Sequence, residues 1–297
     1  MVVNCIEFLQ NPCPSRGFVV FRRTRIAPTP SGFLHLGNVL SFALTAGLAR
    51  RSGASILLRI DDLDRERVNR EFVEDIYDTL SFLGIPWDEG PRNFDEYERT
   101  WSQEHRMGIY REALERLRVS GKVFACDCSR SKILRESPGG VYPGGCRGRG
   151  LPLDEAGCNW RVNTSGADLP VEMTDFVVRK KDKYPAYQLT SVIDDLHFGV
   201  DLVVRGDDLR ASTAAQRWLA EELGFDAFKR IHFCHHRLLM ASKDEKLSKS
   251  AGAVSIRHLR RQGLKPGEIF SMILRRLGSK NTASTWEEMV EVIGYCP

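Results

Sequence analysis

The stretch from Phe18 to Asp64 constrains the fold more than any other. Phe18-Val-Val-Phe21 reads as a short apolar strand, and Ser55-Ile-Leu-Leu-Arg-Ile60 reads as a second strand of buried type. Between them, Val39–Arg50 carries apolar residues at helical spacing. Strand, loop, helix and strand within about forty residues make a βαβ unit, so the expected fold class is α/β, with a doubly wound parallel sheet of the Rossmann-like kind. Ligands of such sheets bind beyond the carboxyl ends of the strands. The loop 25–38 and the aspartates Asp61, Asp62 and Asp64 both fall there.

That loop reads Arg-Ile-Ala-Pro-Thr-Pro-Ser-Gly-Phe-Leu-His-Leu-Gly-Asn. Its prolines force an extended turn, Gly32 and Gly37 let the backbone fold closely, and Asn38 is placed to cap the following helix. A glycine-bearing loop that ends at a helix N-terminus offers N–H groups and the positive end of a dipole, which suit a phosphate. His35 stands at the mouth of this turn. A second polar loop, Lys246-Leu-Ser-Lys-Ser250, follows some two hundred residues later. Asp61 directly follows its strand and is a candidate for a functional role; Asp64 is placed to cap the helix expected over Asn69–Leu83.

The cysteines are distributed unevenly. There are eight, at positions 5, 13, 126, 128, 146, 158, 234 and 296, too dispersed for a small disulfide framework. Three of them fall within twenty-one residues, Cys126-Asp-Cys128 and then Tyr142-Pro-Gly-Gly-Cys146, in a glycine- and proline-rich stretch from Gly121 to about Trp160. Thiolates so close together favour zinc, in a closed tetrahedral site that staples an insert too small to bury its own core. Reduced cysteines of this kind point to a cytoplasmic location. His232, His235 and His236 lie on an expected strand and alternate faces, which argues against a second metal site.

Charge and hydropathy add little. The 297 residues hold 43 basic and 39 acidic side chains, a net +4, and 42% hydrophobic residues, enough for a globular core. No stretch approaches ~20 consecutive apolar residues, so no membrane-spanning helix is expected. Residues 1–17 have no basic leader and are expected to form a loose leader before the first strand.

Taken in this order, the two polar loops resemble the signature pair of class I aminoacyl-tRNA synthetases. The first motif of that family ends in His-x-Gly-His and the second is Lys-Met-Ser-Lys-Ser; here they read His35-Leu-Gly-Asn38 and Lys246-Leu-Ser-Lys-Ser250. The lead-in Arg-x-Ala-Pro-x-Pro-x-Gly marks the glutamyl branch. Ala186-Tyr-x-Leu, Val192-x-Asp-Asp and Val203-x-Arg-Gly-x-Asp-Leu209 also resemble that branch, and the likeness runs from about residue 18 to 293.

The resemblance implies an ATP-dependent activator of glutamate. His35, Gly37, Lys246 and Lys249 would be catalytic. Pro28, His35, Gly37, Asn38, Lys246, Ser248 and Lys249 would hold ATP with Mg²⁺. Arg25, Ala27, Thr29, Asp61, Tyr187 and Arg205 would hold the glutamate. Asp61 stands where the branch typically has glutamate. For Tyr187 the alternative is a core aromatic with a satisfied hydroxyl. Cys126, Cys128, Tyr142 and Cys146 match a zinc set found in short members of the branch, with Cys158 or water as alternatives to the tyrosine.

The implied domains are 18–120 and 186–250 as two halves of the catalytic domain, 121–185 as a zinc-binding, acceptor-type insertion, and 251–297 as a helical end. A full-length glutamyl enzyme would continue for roughly 100–200 residues per further domain. The expectation is therefore a short, monomeric member that activates glutamate without tRNA and passes it to queuosine in the anticodon loop of tRNA(Asp). A catalytic part of an ordinary enzyme charging tRNA(Glu), and a small-molecule adenylate-forming ligase of the same fold, are the alternatives.

Overall fold

In a computed structural model of the chain, the described residues are 20–239 and 254–294. They divide into two compact units, one built from residues up to 103, 200–208 and 232 onward, the other from 104–199 and 209–231.

The first unit is built on a four-stranded parallel sheet: β1 (Arg23–Ile26), β2 (Ser55–Leu58), β6 (Leu202–Gly206) and β7 (His232–His236), in the order β2-β1-β6-β7. The parallel sheet is as expected, but β1 begins two residues after the apolar run at 18–21. Residues 18 and 19 lie outside the described residues, and Val20 and Phe21 are not in a strand. Pairing selects the segment: Arg23 to Ile26 run in register with Ser55 to Leu58, and Thr24 faces Leu202. Arg25 therefore sits inside β1 rather than after it.

Helix α1 (Leu36–Ser52) crosses from β1 to β2 and packs against β1, β2 and β6 as well as α9 (Pro266–Arg276) and α10 (Trp286–Val292). Its apolar residues consequently surround it, instead of forming the single stripe of a surface helix. Gly47 is where α10 comes close: a Cβ there would stand 2.8 Å from Val290 Cγ1. Helix α2 (Arg70–Leu83) begins after Asn69, whose side chain accepts from the Glu71 N–H, and stops at left-handed Gly84. The turn α3 (Phe94–Glu96) continues as a π-type turn over Tyr97–Trp101, and α8 (Ile256–Arg261) packs on α2, with Arg260 paired to buried Asp75.

The second unit holds an antiparallel sheet, β3 (Val123–Cys126), β4 (Asn159–Val162) and β5 (Val177–Arg179). Around it are α4 (Met107–Val119), α5 (Arg130–Glu136), α6 (Tyr187–His197) and α7 (Arg210–Glu222). Within this unit α6 packs on α4, α7 and β5. Sequence reading assigned α6 and α7 to the second half of the catalytic domain, whereas here they cluster with the insert. A buried ion pair fixes α6 to α4: Arg106 donates to both oxygens of Asp194, at 2.8 and 3.1 Å, and Tyr110 Oη adds a third donor at 2.6 Å. No described helix is long and apolar enough to cross a membrane.

Candidate functional site

In the first unit the candidate site forms at the carboxyl ends of the parallel strands, where the chain leaves β1 and enters α1. His35 is the residue that starts the helix. Its Nδ1 accepts from the Gly37 N–H at 3.1 Å, and Asn38 Oδ1 accepts from the His35 N–H at 3.0 Å. The cap is thus His35, with Asn38 bonding back from the third helical position; this corrects the expectation that Asn38 itself is the cap. With Nδ1 accepting, the neutral ring carries its proton on Nε2. Glycine at 37 has a steric reason: a Cβ would stand 2.9 Å from His35 Cε1, inside contact distance. The N–H groups of Gly37 and Asn38 are engaged by His35 Nδ1 and O, so these two amides are not open to a phosphate.

Arg25 is 6% exposed, and its Nη1 lies 3.5 Å from the Val204 carbonyl of β6. Arg205, at the end of β6, is 4% exposed, with its guanidinium carbon 4.8 Å from the Phe233 ring. Two guanidinium groups are thus buried near the ends of neighbouring strands. The planar fork of a guanidinium suits a carboxylate. Ala27 is half-buried, Pro28 buried and Thr29 exposed along the exit from β1.

Asp61 is brought to this exit by the backbone: its N–H donates to the Pro28 carbonyl at 3.0 Å, and the Arg59 N–H to the Ile26 carbonyl at 2.9 Å. Its carboxylate is gripped by buried Arg59, at 2.7 and 3.1 Å. Asp62 has a different task. Completely buried, it accepts from Tyr97 Oη and Ser102 Oγ at 2.6 Å, Arg65 Nη1 at 2.8 Å and the Gln103 N–H at 2.9 Å. It fixes the loop after β2. Burial, then the Asp62 charge, pushes the Tyr97 phenol well above its ordinary value. Asp64 precedes a short 3₁₀ turn but makes no side-chain cap.

Lys246, Ser248 and Lys249 lie outside the described residues. The chain beyond them returns to the site: Ser255 forms a bridge with His35, and the Ile256 N–H donates to the Leu34 carbonyl at 2.8 Å. In β7, His236 is buried, with Nδ1 2.9 Å from the Arg237 carbonyl, and burial holds its pKa below the ordinary imidazole value.

In the second unit, Cys126, Cys128 and Cys146 are all buried, and their sulfurs lie within 4.8 Å of one another. Cys128 Sγ and Cys146 Sγ are 3.5 Å apart. Tetrahedral zinc with Zn–S of about 2.3 Å needs sulfurs about 3.8 Å apart, so the three fit the ion. Cys158 is buried too but stands outside this group. Tyr142 Oη accepts from the Cys146 N–H at 2.8 Å, beside the cluster. Burial pushes the Cys128 thiol up to about 12. Cys146 is likewise desolvated, but hydrogen bonds from Tyr142, Cys128 and Arg149 hold it below the usual thiol value.

Sequence reading assigns Asp127 no role, and it offers Arg149 only as a basic residue able to meet phosphates. Arg149 Nη1 sits 2.8 Å from Asp127 Oδ1 and 3.5 Å from Cys146 Sγ, supporting a ligand from outside the coordination shell. The spacing Cys146-x-x-Arg149 was the only available signal, and it is common. Tyr187, the first residue of α6, is 41% exposed, which rules out the core-aromatic alternative.

Known proteins carry the same architecture. The family model of class I tRNA synthetases (E and Q), catalytic domain, matches residues 22–138 and 159–295. The chain belongs to that family. Glutamyl-Q tRNA(Asp) synthetase of a Synechococcus strain is 41% identical over 251 residues, covering 82% of this chain and 78% of the relative. Glutamate–tRNA ligase 1 of Ruegeria pomeroyi is 33% identical over 297 residues, 91% of this chain but 64% of the relative, so the chain spans less than two thirds of that longer ligase. The solved glutamate tRNA ligase of Elizabethkingia meningosepticum shares the fold, with a TM-score of 0.68 and 24% identity across 92% of this chain and 64% of its own. As in the rest of this class I synthetase family, the expected chemistry is that of a ligase acting through a nucleotide-binding α/β fold.

Proposed function

We propose that the protein activates L-glutamate with ATP in the absence of tRNA, forming glutamyl-adenylate, and then transfers the glutamyl group to queuosine in tRNA(Asp) with release of AMP. Two buried guanidinium groups, Arg25 and Arg205, beside the capped His35 turn carry the first half of this reading. The similarity to the Synechococcus glutamyl-Q tRNA(Asp) synthetase supports the second half.

In the first step the glutamate α-carboxylate attacks the α-phosphorus of ATP, a P–O bond forms, and pyrophosphate leaves. Such a reaction needs positioning and positive charge more than covalent help. His35 Nε2–H and the positive end of α1 stabilise charge on the phosphates. Lys246 and Lys249 neutralise the departing pyrophosphate, with Lys249 as the principal contact, and Mg²⁺ accompanies the nucleotide as its counter-charge. Arg25 pairs with the side-chain carboxylate and Arg205 supports it. Glutamine would leave a buried guanidinium without a carboxylate, which discriminates against the amide. Asp61, oriented by Arg59, takes the α-ammonium; a carboxylate has lone pairs enough for both partners. Cys126, Cys128 and Cys146, with Tyr142 as a fourth donor, would hold zinc, which would supply folding energy to the insert and no chemistry.

Labelled glutamate, offered with ATP to queuosine-containing tRNA(Asp) and to tRNA(Glu), tests the transfer. Label on tRNA(Asp) alone is the expected result, and label on tRNA(Glu) alone contradicts the queuosine reading.

A further inference from the structure

The second unit contains a cavity of about 290 Å³ that borders Tyr142 and Tyr187 but whose other lining residues have no part in the chemistry above. Arg161 of β4, Tyr142, Glu172, Thr174 and the first residues of α6 line it. Two features of that lining point to an anion. Arg161 is 7% exposed: its Nη1 donates to the Asp175 carbonyl at 2.8 Å and its guanidinium carbon lies 4.0 Å from the Tyr142 ring centre, but its Nε is buried with no hydrogen-bond partner. On the same cavity, α6 begins at Ala186, which has no side chain to cap it. The Leu189 and Thr190 N–H groups bond to the Ala186 carbonyl, whereas those of Tyr187 and Gln188 make no hydrogen bond among the described residues. A largely buried guanidinium and a bare helix N-terminus therefore line one open cavity, and both attract an anion.

We propose that this cavity binds one phosphodiester group of the RNA acceptor. The proposal rests on the tRNA reading above for the identity of the polynucleotide, while the anion site rests on Arg161 and α6 alone. The Glu172 carboxylate on the lining opposes an anion and gives the test a variant of opposite sign.

The experiment measures binding of unfractionated tRNA to the whole chain between 50 and 200 mM salt, together with calorimetric titration of inorganic phosphate. For Arg161→Gln the expected result is tRNA affinity roughly 3- to 10-fold weaker and a log–log salt slope lower by about one, with glutamate-dependent exchange unchanged. Glu172→Gln is expected to bind tRNA more tightly. Because removing a buried arginine can disturb folding, Ala186→Asp provides the second arm: its carboxylate caps α6 and fills the anion position, so tRNA affinity falls while Tm is held or rises.

Unchanged affinity and slope in both Arg161→Gln and Ala186→Asp would overturn the proposal. So would saturable phosphate binding abolished by Arg161→Gln with tRNA binding intact, since the site would then serve a free anion. A wild-type chain that lacks exchange but shows the slope change would instead count against glutamate activation and leave the phosphate site standing.

Discussion

Arg25 shows how one residue can join fold and specificity. It occupies a central strand position that normally holds an apolar side chain, and it is 6% exposed. In the proposed function its guanidinium meets the side-chain carboxylate of a dicarboxylic amino acid. Arg25→Leu is expected to raise the KM for glutamate about 100-fold or more while the KM for ATP stays within a few-fold; equal loss of both would contradict a side-chain contact. Asp62 is the structural counterpart. Its four donors make Asp62→Asn destabilising by about 3 kcal/mol, measurable by urea unfolding.

His236 adds a pH dependence. Burial lowers its folded pKa below the ordinary 6.5, so the unfolded chain binds the proton more readily. Its contribution to stability is complete above about 6.5 and is lost as pH falls through the folded value, with a slope of at most about 1.4 kcal/mol per pH unit. His236→Gln should flatten that part of the urea-midpoint profile between pH 7.5 and 5.5; an unaltered profile would assign the slope to other groups.

At the scale of elements, the sequence was most legible where periodicity and special residues agreed. The helices now at 36–52, 70–83, 266–276 and 286–292 were expected to within a few residues, because glycine, proline and cap residues bound them. The first strand was misplaced because the apolar run at 18–21 outweighed Arg-Thr-Arg-Ile, whose strand character comes from two neighbouring strands rather than from its own composition. For the same reason local sequence did not reveal that α1 is surrounded: its outer partners α9 and α10 lie more than two hundred residues away. Their contact sets a test. Gly47→Ala gains helix propensity of about 1 kcal/mol but drives a methyl against Val290, at a cost of about 1–3 kcal/mol. Net destabilisation is expected, reversing to stabilisation when Val290→Ala is added; a Gly47→Ala protein more stable than wild type would contradict the packing.

The cysteine insert was legible in its ligands and not in their support, since Asp127, Arg149 and Arg161 are ordinary charged residues until the fold gathers them. The purified protein should carry about one zinc per chain by atomic absorption, and Cys146→Ser should lose it and melt at lower temperature. Full zinc retention in Cys146→Ser would remove that ligand from the set.

For the whole molecule, a unit built on a parallel sheet and a unit holding a three-cysteine cluster occupy one chain, and the family match runs through both. The glutamate ligases it resembles are longer, with the chain covering 64% of the Ruegeria pomeroyi enzyme. In the proposed function these residues activate glutamate without RNA. The direct measurement is glutamate-dependent exchange of labelled pyrophosphate into ATP, with no RNA present. Exchange with glutamate, at most trace exchange with glutamine, and its loss in Lys249→Ala in a normally folded protein are the predicted results. No exchange with glutamate until tRNA is added would contradict the account.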